Sequence, residues 1–264
     1  MTSLPPPAPY ARMHHDRLDD PEWDRPPVGA EPRRRVIVCS TPRSGSSLLC
    51  RQMINAGIGL PTEYLRSRTI ETLSRRYGVA AGDDARYLAE LESRRTTGNG
   101  VFAAKVQWQQ FSAHPAVREP WFARADLLIL LRRADTIAQA VSWQVSLATG
   151  YWSFDRAPGP RAEDATLADV DQVLDLVRTI GAQNAAWRRV LGGLKRRAID
   201  VLYEDYVRDQ SGFLRLVARE LGLAADQWRE PPPEPRDNRL PDEVEDARAW
   251  LLTQARARAA AARR

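Results

Sequence analysis

Val36-Ile37-Val38-Cys39-Ser40-Thr41-Pro42-Arg43-Ser44-Gly45-Ser46-Ser47-Leu48-Leu49 is the stretch that decides the fold class. Its first four residues form an uninterrupted apolar run, the pattern of a strand buried on both faces of a parallel sheet. After the polar turn, Leu48, Leu49, Met53 and Ile54 fall at helical spacing, and Gly57 supplies a C-terminal stop. A loop between such a strand and helix aims its free backbone N–H groups and the positive end of the helix dipole at one point, which makes an anion site. Gly45 allows close backbone approach, Ser44, Ser46 and Ser47 add hydroxyl donors, and Arg43 adds a guanidinium fork suited to phosphate or sulfate oxygens. No lysine follows Gly45, so the loop lacks the residue that a nucleotide triphosphatase places on the terminal phosphates. The plainer alternative for the loop alone is a Ser/Gly-rich turn with an exposed arginine.

The same alternation continues along the chain. Val101 to Val106 and Leu127 to Leu131 read as second and third strands, and Asp135 is placed to cap a helix running to Gly150. Thr166 opens a long amphipathic helix with Leu167, Val170, Leu174 and Val177 on one stripe and Trp187 further along. Ile199 to Tyr203 reads as a fourth strand, and Phe213, Leu216, Val217 and Leu221 mark a helix that ends at Gly222. The expected fold is α/β: a P-loop-like, three-layer arrangement with a central parallel sheet flanked by helices and ligands at the carboxyl ends of the strands.

That domain is expected over residues 33–240. Residues 1–32 carry Pro5, Pro6, Pro7, Pro9, Pro21, Pro26, Pro27 and Pro32 among few large apolar groups, which predicts a disordered arm. His14 and His15 lie in it as solvent-exposed residues. Residues 241–264 read as an Ala/Arg-rich helix or tail whose packing the sequence leaves open, and no internal repeat is evident. The 39 basic and 34 acidic side chains leave a net charge of +5 spread along the chain, which suits a small anionic ligand better than nucleic acid. Cys39 and Cys50 sit in apolar segments as small buried thiols, not as a disulfide framework. With no apolar leader segment and no run of about 18 apolar residues, the chain is expected to be soluble and cytoplasmic, without a membrane span.

A second anion site is expected at Arg132-Arg133-Ala134-Asp135, where the third strand ends and Ala138 and Ser142 share one face of the following helix. On their own, arginines at such a turn are usually ion-paired or solvated. The run from Thr41 to Leu49 resembles the 5'-phosphosulfate loop of sulfotransferases that use 3'-phosphoadenosine 5'-phosphosulfate (PAPS). The segment Arg132-Arg133-Ala134-Asp135-Thr136-Ile137-Ala138-Gln139-Ala140-Val141-Ser142-Trp143, continuing to Thr149-Gly150-Tyr151-Trp152, is similar to that of the trehalose 2-sulfotransferase family, often called Stf0. The resemblance implies that Arg43, Ser44, Gly45, Ser46 and Ser47 hold the sulfuryl group and 5'-phosphate, and that Arg133 and Ser142 bind the 3'-phosphate. Val141 and Ala138 occupy the positions where other sulfotransferases carry that hydroxyl, and Arg132 stands open as an alternative to Arg133. Tyr203-Glu204-Asp205 looks like a further family element that puts Tyr203 near the nucleotide.

Transfer to an alcohol needs a base for the acceptor proton and charge stabilisation on the leaving oxygen. By its neighbours alone Glu63 is an ordinary surface carboxylate beside Pro61. The resemblance of Leu60-Pro61-Thr62-Glu63-Tyr64 makes it the catalytic base, with contact to the acceptor. Lys105 and Trp108, in Ala103-Ala104-Lys105-Val106-Gln107-Trp108, resemble an element near the active cleft; Lys105 is expected to neutralise the leaving group and Trp108 to offer a face to a sugar, unless both are strand-edge packing residues. His114 is read as a surface residue. The resemblance implies a PAPS-dependent enzyme that needs no metal, acting on a carbohydrate such as trehalose or a related glycan or glycolipid, and forming a homodimer. A hydroxyl on a small natural product is an alternative acceptor, and a P-loop-like nucleotide or small-molecule kinase or a binding module without chemistry are the rival functions.

Overall fold

The computed structural model describes residues 21–25, 31–152, 166–234 and 240–262; most of the expected arm, with His14 and His15, lies outside the described residues. Four strands form one sheet: β1 (Arg34–Ser40), β2 (Val101–Gln107), β3 (Leu127–Arg132) and β4 (Ala198–Leu202). The order is β2-β1-β3-β4, and every neighbouring pair is parallel. All four carboxyl ends therefore share one edge of the sheet.

The helices are α1 (Ser46–Asn55), α2 (Ser67–Tyr77), α3 (Asp84–Arg95), α4 (Trp108–Ala113), α5 (Pro115–Arg124), α6 (Thr136–Thr149), α7 (Val170–Gly193), α8 (Tyr203–Arg208), α9 (Gln210–Glu220) and α10 (Asp242–Ala261). The period-2 alternation of strand side chains sorts them into layers. Val36, Val38, Val101, Ala103, Leu127, Ile129 and Leu131 pack with residues of α1, α8 and α9. Ile37, Cys39, Phe102, Ala104, Val106, Leu128 and Leu130 face the other way, against α2 to α5 and Trp187 of α7. Sequence and structure agree on three layers, and Cys39 and Cys50 are free and buried.

Two boundaries differ from expectation. The helix expected from Thr166 begins at Val170, because the Asp169 carboxylate accepts from Gln172 N and caps it there. Tyr203, expected to end a strand, opens α8. Helices α2 to α5 were not read from sequence at all; in α2 and α3 the apolar positions are sparse among arginines and other polar residues. No helix among the described residues is long and apolar enough to cross a membrane.

Inside the expected arm, residues 21–25 are docked on the domain. Arg95 of α3 is wholly buried, and Asp24 lies 2.8 Å from its Nη2. The Tyr77 hydroxyl accepts from Arg95 Nε at 3.1 Å and donates to Asp24 at 2.6 Å. Trp23 packs on Ile54 and Leu60. A buried guanidinium that loses its carboxylate retains a desolvation penalty with weaker compensation. Asp24→Ala is therefore expected to lower the unfolding free energy by about 3 kcal/mol, read as a reduced urea midpoint at unchanged slope.

Candidate active site

From β1 the chain travels to β2 on one side, whereas β3, on the other side of β1, leads on to β4. The direction of winding reverses between the ends of β1 and β3, where the diverging connections leave a crevice. The loop after β1 turns through Arg43 at φ 63° and Gly45 at φ 92°. A non-glycine residue in the left-handed region costs on the order of 1 kcal/mol and persists only if its surroundings hold it there. Gln139 of α6, fully buried, does part of this: its Nε2 donates to Thr41 Oγ1 at 2.8 Å and to the Pro42 carbonyl at 2.7 Å. Trp187 Nε1 of α7 donates to the Ser40 carbonyl at 3.0 Å.

Arg43 itself reaches toward the ends of α6: Nε donates to Ser142 Oγ at 3.0 Å, and Nη1 to the Trp152 carbonyl. Burial, aided by the charges of Arg133 and Arg248, lowers its pKa to about 10, still far enough above neutrality to keep it charged. Of the two adjacent arginines after β3, Arg132 pairs with Asp200 at 2.7 Å. Arg133 lies over the Tyr203 ring, 5.6 Å from its centroid, with Glu204 at 3.9 Å, and burial lowers its pKa. Glu204 also accepts from Ala134 N at 2.9 Å, which fixes the turn that carries Arg133. Val141 is buried in the packing around α6, and the Ala138 N–H is taken by the Asp135 cap, so Ser142 is the member of that face bonded to Arg43.

Gly45 is the point where the loop after β1 meets the start of α8. A Cβ there would come within 2.2 Å of the Tyr203 ring, so only glycine admits both the left-handed turn and the tyrosine. Beside this loop, Lys105 has the register parity of Val101 and Ala103 and points to the α1 layer. Its Nζ is 2.7 Å from Glu63 Oε1 and donates to Ser47 Oγ at 3.3 Å. Gln110 Nε2 donates to Glu63 Oε2 at 2.6 Å, and Gln107 Nε2 to Oε1 at 3.4 Å. The Lys105 N–H donates to the Thr62 carbonyl at 2.8 Å, so the segment carrying Glu63 lies along the outer edge of β2. Trp108 is half-buried, its ring packed edge-on to Trp187 and against Phe111. His114 sits between α4 and α5, its N–H donating to the Gln110 carbonyl at 3.2 Å.

The family model for Stf0 sulphotransferases matches residues 35–252, a span holding all of these groups. The chain belongs to the Stf0 sulphotransferase family. It is thus a sulfotransferase, an enzyme that moves a sulfuryl group to an acceptor. No curated protein matches it. Among solved structures, a sulfotransferase from Alicyclobacillus acidocaldarius is similar at 17% identity over 86% of this chain and 95% of that one, with a TM-score of 0.43.

Gln107, Gln110, Gln139 and Arg248 were not picked out from the sequence. For Gln139 a signal exists, an amide in the apolar run of α6; for Arg248 none does. The Gly45 contact gives a direct test. Gly45→Ala is expected to cost about 2 kcal/mol of stability from backbone strain and overpacking. In a double-mutant cycle with Tyr203→Ala, thermal or urea unfolding is expected to show coupling of about 1 kcal/mol between the two sites, relieving the steric part alone.

Proposed function

We propose that this sulfotransferase takes its sulfuryl group from PAPS and delivers it to a hydroxyl of a carbohydrate, trehalose or a related glycan or glycolipid, by in-line displacement with Glu63 as base. The observation that carries the donor assignment is a pair of buried polar atoms: Ser44 Oγ and Arg133 Nε have no hydrogen-bond partner among the described residues. Leaving such an atom unpaired costs about 1–3 kcal/mol, so each is fitted to a ligand oxygen. They belong to the two loops that bound the crevice between β1 and β3, which matches a nucleotide carrying an anion at each end.

When bound, PAPS supplies a phosphosulfate in which the bond from sulfur to the bridging oxygen breaks as the acceptor oxygen bonds to sulfur. The N-terminus of α1 with Arg43, Ser44, Gly45, Ser46 and Ser47 would hold the sulfuryl and 5'-phosphate oxygens, and Arg133 with Ser142 the 3'-phosphate. Lys105, between Ser47 and Glu63, would neutralise charge on the leaving oxygen. Glu63 would take the acceptor proton, its carboxylate held in one orientation by Gln107, Gln110 and Lys105. Exposed Trp152, whose carbonyl holds Arg43, and half-buried Trp108 are the aromatic surfaces available to a sugar at this rim.

Glu63→Gln keeps an oxygen for Lys105 and removes the base. Steady-state turnover with PAPS and a screened acceptor is expected to fall by roughly 10²- to 10⁴-fold. Calorimetric affinity for the product nucleotide 3',5'-diphosphoadenosine is expected to stay within about twofold. Undiminished turnover would remove Glu63 from the chemistry.

A further inference from the structure

The mechanism above leaves one charged group unused at the anion site, and it comes from the far end of the chain. Val244, Leu251, Leu252 and Ala255 of α10 share an apolar cluster with α6 and α7. Arg248 follows Val244 by four residues and precedes Leu251 by three, so it lies on that packed face. The helix is held in place by ion pairs: Arg256 Nη2 is 2.7 Å from Asp135 Oδ2, and Arg258 pairs with Asp171 at the start of α7. Asp135 caps α6 two residues after Arg133, so the first pair ties α10 directly to the turn of the second anion site.

The consequence is electrostatic. Arg248 is close enough to both Arg43 and Arg133 for its charge to add to the effect of burial in lowering the pKa of each. The packed face of α10 thus brings the charge of Arg248 to bear on the turn of Arg133, whose Nε has no hydrogen-bond partner among the described residues. The carboxylates facing the group are Glu204 and Asp135 toward Arg133, and Glu245, which accepts from Arg248 Nη1 at 2.8 Å. The Glu245 pair is 34% exposed on the acid and 38% on the arginine. Pairs so exposed contribute little, and this one engages a single donor of the five on a guanidinium. A phosphate monoester, which carries most of two negative charges at neutral pH, would accept from Arg133 and Arg248 together.

We propose that Arg248 is a further donor-binding residue of this enzyme, gripping the 3'-phosphate together with Arg133, and that docking of α10 on α6 is what delivers it. The inference rests on the PAPS reading above and assigns a function to the C-terminal helix, which otherwise serves only to cover α6 and α7.

The test is calorimetric titration of the full chain with 3',5'-diphosphoadenosine and, separately, with adenosine 5'-phosphate, which lacks the 3' group. Arg248→Gln is expected to weaken the diphosphate by about tenfold or more and the monophosphate by less than about twofold. Arg248→Lys, which keeps the charge but loses the fork, is expected to fall between wild type and Arg248→Gln. Unchanged affinity for the diphosphate, or an equal loss for both nucleotides, overturns the assignment. A wild-type protein that does not prefer the diphosphate overturns the donor reading and this inference with it. Thermal unfolding without nucleotide identifies a variant that has lost its fold, in which case Arg248→Lys carries the same comparison.

Discussion

Between the end of β1 and the first residue of α1 the chain passes through two left-handed residues, and one of them is an arginine. That turn is unfavourable by itself, and the groups that hold it come from two other elements, α6 and α7. Gln139 binds its backbone and side chain from α6, Trp187 binds the strand end from α7, and Ser142 receives the Arg43 guanidinium. Each such bond contributes about 1 kcal/mol, enough together to offset the strain. The turn is thus a product of tertiary packing, and it aims the N-terminus of α1, with Ser44, into the crevice.

The remainder of the site is tied to this turn by contact. Gly45 touches Tyr203, Tyr203 lies under Arg133, and Glu204, the next residue, holds the turn that carries Arg133. A displacement of α8 would therefore disturb the loop after β1 and the turn of Arg133 together. On the other side, Ser47 touches Lys105 and Lys105 touches Glu63, so the candidate base and the start of α1 share one cation. A close approach of the segment carrying Glu63 to β2 is secured at Gly59, where a Cβ would stand 2.4 Å from Ala103 Cβ.

How much of this was legible depends on the range of the interaction. β1, β3 and the cap at Asp135 follow from local patterning, and so does the alternation that makes the sheet parallel. The turn from β1 into α1 was legible because strand, small polar residues and helix are contiguous. Helices α2 and α3 were not, because their buried anchors, Leu73, Tyr77, Tyr87, Leu88 and Leu91, are interleaved with arginines and acids. The Asp24–Arg95 pair links a proline-rich segment to a buried helix position, and no local composition announces it. The same holds for α10: its small apolar face shows a helix, while its docking depends on ion pairs to Asp135 and Asp171, which lie far away in sequence. Choosing between Arg132 and Arg133 needed Asp200, which takes the former.

The central claim is that the crevice between β1 and β3 binds a nucleotide with separate anions at its 3' and 5' ends. Thermal unfolding of the full chain with 3',5'-diphosphoadenosine, against ATP with magnesium, tests it most directly. At about a hundredfold excess over Kd the diphosphate is expected to add about 2.7 kcal/mol, raising Tm by very roughly 5–10 °C, with no comparable shift from ATP and magnesium. Stabilisation by ATP and magnesium alone would contradict the account.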